Sequence, residues 1–378
     1  MIGAVLPLSG PPALSSFADL IRQGVELAVA VRNDRGADIE LLIRDYRAEP
    51  LTASIHTREL ELQGADGMVG YLEEAALRAA AGYGVRVPLV SPTARNADAA
   101  GRWAYSLEGP DPISARKMAR FAREEGYDRV AVLHEGAPAS YAEARAFVDE
   151  ADRIGLPVMT VVSQESGAPH FADQLSTLVT ALRSEEIMAL GLEEDDTLDV
   201  SLLDPVAAYI TVPAETLELL APQFTHFGLD TLGIDILGNA AWTHPATLSL
   251  VDDRHTTGVF APTGSLEDGA NEEAFRRLYE SHFERTLLSS VPALGFDAVL
   301  VLLGAIESSG RSSVEIPGAT GLFTFEEGRV LRRTRIVEIR EGALIEPGSM
   351  VLDPDTLLAP VVDTMRGNPP AAPRPHLR

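Results

Sequence analysis

The sequence predicts an α/β protein built as two similarly wound halves, each a parallel sheet with helices on its faces. Three observations carry this. Apolar runs of strand length recur without sustained charge, as strands buried on both faces require. Between them lie stretches with apolar or small residues at i, i+3, i+4 and i+7, one face of a helix. The alternation starts at Ile2, is interrupted by a turn-rich stretch at 107–112, and then repeats.

In order, Ile2, Ala4, Val5, Leu6 and Leu8 form the first strand and Ser9-Gly10-Pro11-Pro12 a turn. A helix follows over 17–31, its face written by Phe17, Leu20, Ile21, Gly24, Val25, Ala28 and Val31. Ser16 is its expected N-cap, with Asp19 in the first turn where the helix dipole favours a negative charge. Ligands of parallel sheets bind outside the carboxyl ends of the strands, so the loop 9–16 is the first place to expect function. A strand is expected over 39–43, and a helix after Pro50 carrying Leu51, Ile55 and Leu62. A third strand follows over 66–70. Glu73 and Glu74 open a helix ending near 82–84, and a fourth strand over 87–90 stops at Ser91-Pro92-Thr93-Ala94.

Beyond the crossover, a helix is expected over 114–126 and a strand over 129–134. Helices then fall over 141–154, 171–183 and 214–227, and strands over 157–162, 206–212 and 232–237. The weakly periodic stretch 187–204, with Glu193-Glu194-Asp195-Asp196, reads as a solvated excursion, since contiguous carboxylates without a glycine turn do not make a calcium loop. After Trp242 come a strand over 258–261 and helices over 272–287 and 293–306. A hairpin over 318–339 pairs Phe323 and Phe325 on one face, with Glu327-Gly328 at its turn. From Pro347 the chain is proline-rich, and 367–378 reads as frayed.

Length and composition bound the function. A chain of 378 residues is too long for one ordinary core, so two domains with a cleft between them are expected. No apolar run reaches membrane-spanning length. The net charge of -25 argues against nucleic acid. Lys117 is the sole lysine, which leaves arginine as the anion binder and removes most lysine chemistry. The absence of cysteine excludes thiol catalysis, disulfides and cysteine-held metals. Met1 directly precedes the first strand, so no signal segment is read in this chain, and the protein is either cytoplasmic or one whose leader was removed.

Several ordered motifs resemble type I periplasmic solute-binding proteins, especially the branched-chain amino-acid (Leu/Ile/Val) branch. They are Ile2-Gly3-Ala4-Val5-Leu6-Pro7-Leu8-Ser9-Gly10, Gly24-Val25-Glu26-Leu27-Ala28, Arg44-Asp45 before Pro50, and Val90-Ser91-Pro92-Thr93-Ala94. Farther on they are Arg129-Val130-Ala131-Val132-Leu133-His134 with Tyr141, Gly295-Phe296-Asp297-Ala298, and Gly318-Ala319-Thr320-Gly321-Leu322-Phe323-Thr324-Phe325. The resemblance implies two Rossmann-like lobes joined by three crossovers, hinging shut on a small ligand for an ABC permease, outside the cytoplasm or anchored to the membrane there. Lobe 1 is expected to comprise 1–112 and 243–317, lobe 2 to comprise 113–242 and 318–345, and 346–378 to form a tail. A second branch, the lipoprotein activators of penicillin-binding proteins, is similar in Leu6-Pro7-Leu8-Ser9-Gly10-Pro11 and Leu237-Gly238-Asn239-Ala240-Ala241-Trp242, and implies a peptidoglycan synthase as partner.

The same resemblance nominates ligand contacts: Ser9 and Gly10 after the first strand, Tyr71, Leu72 and Glu73 after the third, and Ser91, Thr93, Ala94 and Arg95 after the fourth. The second lobe is expected to add Tyr141, Pro213 and Trp242, with Glu215 beside Pro213. The third-strand loop departs from the family pattern, with no hydroxyl and with Glu73 and Glu74 where a ligand carboxylate would dock. Those acids either repel such a ligand or complement their own helix dipole. Arg95 either replaces the lost anion site or faces solvent. Trp242 either contacts the ligand or is buried in the hinge. The eight histidines show no metal-ligand spacing, and neither GxGxxG nor GxxxxGK[ST] occurs, so no enzyme, metal or cofactor is expected.

Overall fold

A computed structural model describes residues 1–95, 97, 100–191, 202, 204–264, 270–308, 315–326 and 329–347. The first half runs β1 (Ile2–Leu6), α1 (Pro12–Asp34), β2 (Leu41–Asp45), α2 (Pro50–Leu62), β3 (Gly67–Gly70), α3 (Glu74–Ala81), β4 (Leu89–Ser91) and β5 (Ala104–Ser106). The five strands form one parallel sheet in the order β2-β1-β3-β4-β5. The second half runs α4 (Pro112–Glu124), β6 (Arg129–Glu135), α5 (Pro138–Ile154), β7 (Val158–Gln164), α6 (Ala172–Leu190), β8 (Val206–Thr211), α7 (Ala214–Leu220), α8 (Gln223–His226), β9 (Ile234–Gly238), α9 (Pro245–Leu250) and β10 (Phe260–Thr263). After α10 (Ala270–Phe283) and α11 (Val291–Ser308) come β11 (Ile316–Pro317), β12 (Leu322–Glu326), β13 (Arg329–Arg333), β14 (Arg335–Arg340) and β15 (Ala343–Ile345). The second sheet has the order β15-β14-β10-β9-β8-β6-β7, with β14 and β15 antiparallel to their neighbours.

Each sheet is covered on both faces, which explains the unbroken apolar runs. Along β1, Ala4 and Leu6 enter the core shared with α1 and α11, while Val5 enters the opposite one with Leu60 and Leu77. Along β6, Ala131 and Leu133 face α6 and α7, while Val130 and Val132 face α4 and α5. The contact of α1 with α11 is backbone on backbone: a Cβ at Gly24 would lie 1.8 Å from the Pro292 carbonyl, and one at Gly295 would lie 2.1 Å from that of Ile21.

Several expectations are corrected. Helix α1 begins at Pro12, not after Ser16, because proline at the first helical position needs no amide partner and supplies the helical φ. Asp19 accepts instead from Arg22 and Gln23 one turn on. In α2 the expected apolar face is turned out: Leu51, Ile55 and Leu62 are exposed, and Ala53, Ser54, Thr57 and Leu60 are buried, with Thr57 hydrogen-bonded inside the lobe. The helix expected over 214–227 is two, parted at Ala221-Pro222. The short strands β5 and β15, three residues each, carry no strand-length apolar run in the sequence.

Membership of the halves also shifts. β10 pairs with β9 and β14, so the segment around 243–263 builds the second sheet, not the first lobe. The expected hairpin divides: β12 and β13 pair with each other and send Phe323 and Phe325 into the first core, whereas β14 leaves for the second sheet. The crossings therefore fall at 107–111, after Gly264 and at Thr334. The turn at Glu327-Gly328, the acidic run at 193–196 and the tail from 348 lie outside the described residues.

Candidate functional site

The carboxyl ends of both sheets face one another across a cavity of about 1070 Å³. Its walls come from Arg95 after β4, from 107–111 after β5, from the first turns of α5, α7 and α9, from Asn239 and Thr243 after β9, and from 287–294 ahead of and into α11.

An ion pair spans it. The Arg95 guanidinium donates through Nη1 to Glu215 Oε1 at 2.8 Å and through Nη2 to Glu215 Oε2 at 2.9 Å, a two-pronged pair between the two halves. Both side chains keep solvent contact, 46% for Arg95 and 63% for Glu215. The hydrogen bond from Arg95 holds the Glu215 carboxyl below the usual range, and the same bond raises the guanidinium. Arg95 is thus exposed to solvent yet already paired, rather than a free anion site.

Behind this pair, buried polar groups clamp the crossings. Glu143, on the inner face of α5, accepts from the Asp111 amide at 3.0 Å, Thr211 Oγ1 at 2.5 Å and Asn239 Nδ2 at 3.0 Å. Its burial pushes the carboxyl up against the pull of those donors. In α11, Asp297 accepts from the Ala319 amide at 2.6 Å and from the Thr320 amide and hydroxyl at 2.8 and 2.6 Å. Burial raises this carboxyl to about 6. Arg332 donates to Thr320 Oγ1 and lies 3.6 Å from Glu108 in the first crossing. Lys117 donates to the Thr334 carbonyl, and the Ser114 and Thr334 hydroxyls meet at the third.

The expected ligand contacts divide sharply. Arg95 and Pro213 line the cavity. Ser9 and Gly10 are exposed at the end of β1, where Ser9 gives its amide and hydroxyl to Asp45. Tyr141 is 53% exposed beside the His134 ring, on the side of α5 away from Glu143, and does not line the cavity. Tyr71 is a correction: it is fully buried with φ at 56°, and its hydroxyl meets Thr57 beneath the lobe. Leu72 and Ala94 are buried with it. Ser91 donates to the Tyr71 carbonyl and Thr93 to the Leu72 carbonyl, while Ser91 Oγ accepts from the Thr93 and Ala94 amides. These hydroxyls tie the β3 and β4 loops together. Glu73 accepts from the Tyr46 hydroxyl at 3.3 Å and stands apart from the cavity wall. Trp242 is the other correction, fully buried in the second core with its indole donating to the Ile210 carbonyl.

Glu143 escaped the sequence reading, yet it left a signal. It falls in register with Ser140, Ala144, Phe147 and Ala151, an acid in the buried stripe of an amphipathic helix. Among the described residues, no group of three or more His, Asp or Glu side chains could hold a metal ion, and no helix is long and apolar enough to cross a membrane.

The sequence profile described as periplasmic binding protein matches residues 1–319. A putative branched-chain amino acid ABC transporter protein of Rhodospirillum rubrum is similar in structure at a TM-score of 0.67 and 20% identity, over 91% of this chain and 99% of that one. The isoleucine complex of LivJ, the branched-chain amino acid transporter substrate-binding protein of Streptococcus pneumoniae, is similar at 0.61 and 17%, over 91% and 97%. A solute-binding protein of Rhodopseudomonas palustris in complex with 3,4-dihydroxybenzoic acid is similar at 0.62 and 18%, over 91% and 95%. At these identities the likeness is one of fold. No curated protein matches the sequence significantly.

Proposed function

Because the chain belongs to the periplasmic binding protein family, whose members are ligand-binding proteins rather than enzymes, we propose that it is the extracytoplasmic solute-binding component of an ABC importer. Its ligand is small, polar or amphipathic and amino-acid-like, and its partner is the permease that receives that ligand. The lobes hinge at 107–111, Gly264 and Thr334, and the cavity between them closes on the guest. The observation that carries this reading is the Arg95–Glu215 pair, whose halves stand 120 residues apart and bridge the opposite walls of one cavity. Arg95 and Pro213 are the wall contacts of this reading, while Ser9, Gly10 and Tyr141 stand outside the wall. The structures of similar fold carry isoleucine in one case and a dihydroxybenzoic acid in another, which supports a small amphipathic guest.

Thermal-shift screening against amino acids, aromatic acids, short peptides and cell-wall fragments tests it. A true ligand at a hundredfold excess over its Kd stabilises the protein by about 2.7 kcal/mol. Silence across that panel overturns the importer reading. Capture of a peptidoglycan synthase by the protein would then favour a regulatory role.

A further inference from the structure

Resting on the binding reading above, we infer that the cavity takes an amphipathic ligand whose polar end is an amine or amide rather than a free carboxylate. The first argument is that donors on the strand-end loops of the first sheet are already spent. Ser9 gives its amide and hydroxyl to Asp45, and Ser91 and Thr93 give their hydroxyls to the Tyr71 and Leu72 carbonyls. The Thr93 and Ala94 amides are taken by Ser91 Oγ. These donors also stand outside the cavity wall, so a carboxylate would gain them only by breaking bonds internal to the lobe.

The second argument is electrostatic. Arg95 is matched prong for prong by Glu215, so a ligand carboxylate reaches it only by expelling Glu215 into the same cavity. Of the other arginines of the wall, Arg276 is paired with Glu273 and Glu280, while Arg332 approaches Glu108 and keeps a buried Nε with no hydrogen-bond partner among the described residues. Glu218 and the buried Glu143 add further acid to the lining. A second negative charge is disfavoured among these groups, whereas an ammonium or an amide N–H is not.

The third argument concerns the rest of the guest. Leu250 of α9 is 67% exposed and Leu288, between α10 and α11, is 92% exposed, yet both line this cavity, one from each half. Leu287, Leu294 and Phe275 extend the apolar wall. At about 1070 Å³ the cavity stands at the upper end of small-molecule sites, roughly 300–1000 Å³, so an apolar body fits beside the polar end.

The test titrates the amino acids and aromatic acids of the screening panel as matched pairs, each free acid against its primary amide (isoleucine with isoleucinamide, phenylalanine with phenylalaninamide), by isothermal calorimetry on the wild type and on Glu215→Gln. The wild type is expected to bind the amide more tightly than the acid by about tenfold or more. Glu215→Gln leaves Arg95 without its carboxylate, and the acid is expected to gain on its own amide by about tenfold. Glu215 is exposed on a helix end, so the variant folds. Tighter binding of the acids by the wild type, or an acid-to-amide ratio that Glu215→Gln does not move, overturns the inference and leaves the binding reading intact. No heat from any pair with either protein, together with a silent screen, overturns both.

Discussion

Asp297 shows how little a residue's place in the chain says about its partners: in the fold it is wholly buried and holds the 318–321 turn by three donors. Burial raises its pKa to about 6 from 3.8. A carboxyl whose folded pKa lies above its unfolded one contributes stability that is complete below about 3.8 and is lost as pH rises through about 6. The loss amounts to about 3 kcal/mol. Chemical denaturation of the wild type and Asp297→Asn across pH 4 to 7 checks this: the stability difference between them is expected to move by about that amount, in the direction that disfavours the wild type at high pH. A difference that stays flat with pH refutes it. Ser91, Thr93 and Tyr71 teach the same lesson, since residue type and loop position announced them while the direction of each side chain did not.

Among the elements, α1 and α11 carry the first lobe. They come from opposite ends of the described chain and meet through Gly24 and Gly295, where neither position has room for a methyl group. Gly24→Ala places its Cβ against the Pro292 carbonyl, and because that neighbour is backbone it cannot swing aside. The expected cost is about 1–3 kcal/mol, read as a lowered midpoint in urea with an unchanged slope. Helix periodicity was visible for both elements, but their mutual contact was not, because a shared glycine seam has no signature within either helix. In α2 the periodicity misled outright: small residues face the sheet there, and the larger Leu51, Ile55 and Leu62 are left outside.

For the whole molecule, the governing question is how the halves are held across the cavity. The Arg95–Glu215 pair is exposed, so its contribution to global stability is modest, about 0.2–1 kcal/mol, and screened by salt. Its leverage is on the balance between open and closed arrangements, where a term of that size shifts populations several-fold. Arg95→Ala in the absence of ligand is expected to raise the radius of gyration measured by X-ray scattering, and added salt to do the same to the wild type but not to the variant. Because Glu215 is held below its ordinary pKa, the clasp is present at neutral pH and is lost as pH falls through that depressed value. A variant as compact as the wild type would show that the crossings alone hold the lobes.

What the sequence determined unaided was the α/β class and the two wound halves. Strands buried on both faces and helices with one apolar face write their burial into local order, so they can be read residue by residue. Tertiary structure alone decided which half owns β10 and the hairpin of β12 and β13, because the choice of sheet partner and of the core a hairpin packs on leaves no local trace. It also decided that Trp242, Tyr71 and Ser91 serve the interior while Arg95 meets Glu215 across the gap. A side chain's partner is set by the register and approach of distant elements, and the chemistry of this cavity follows from those partners rather than from the residue types that surround it.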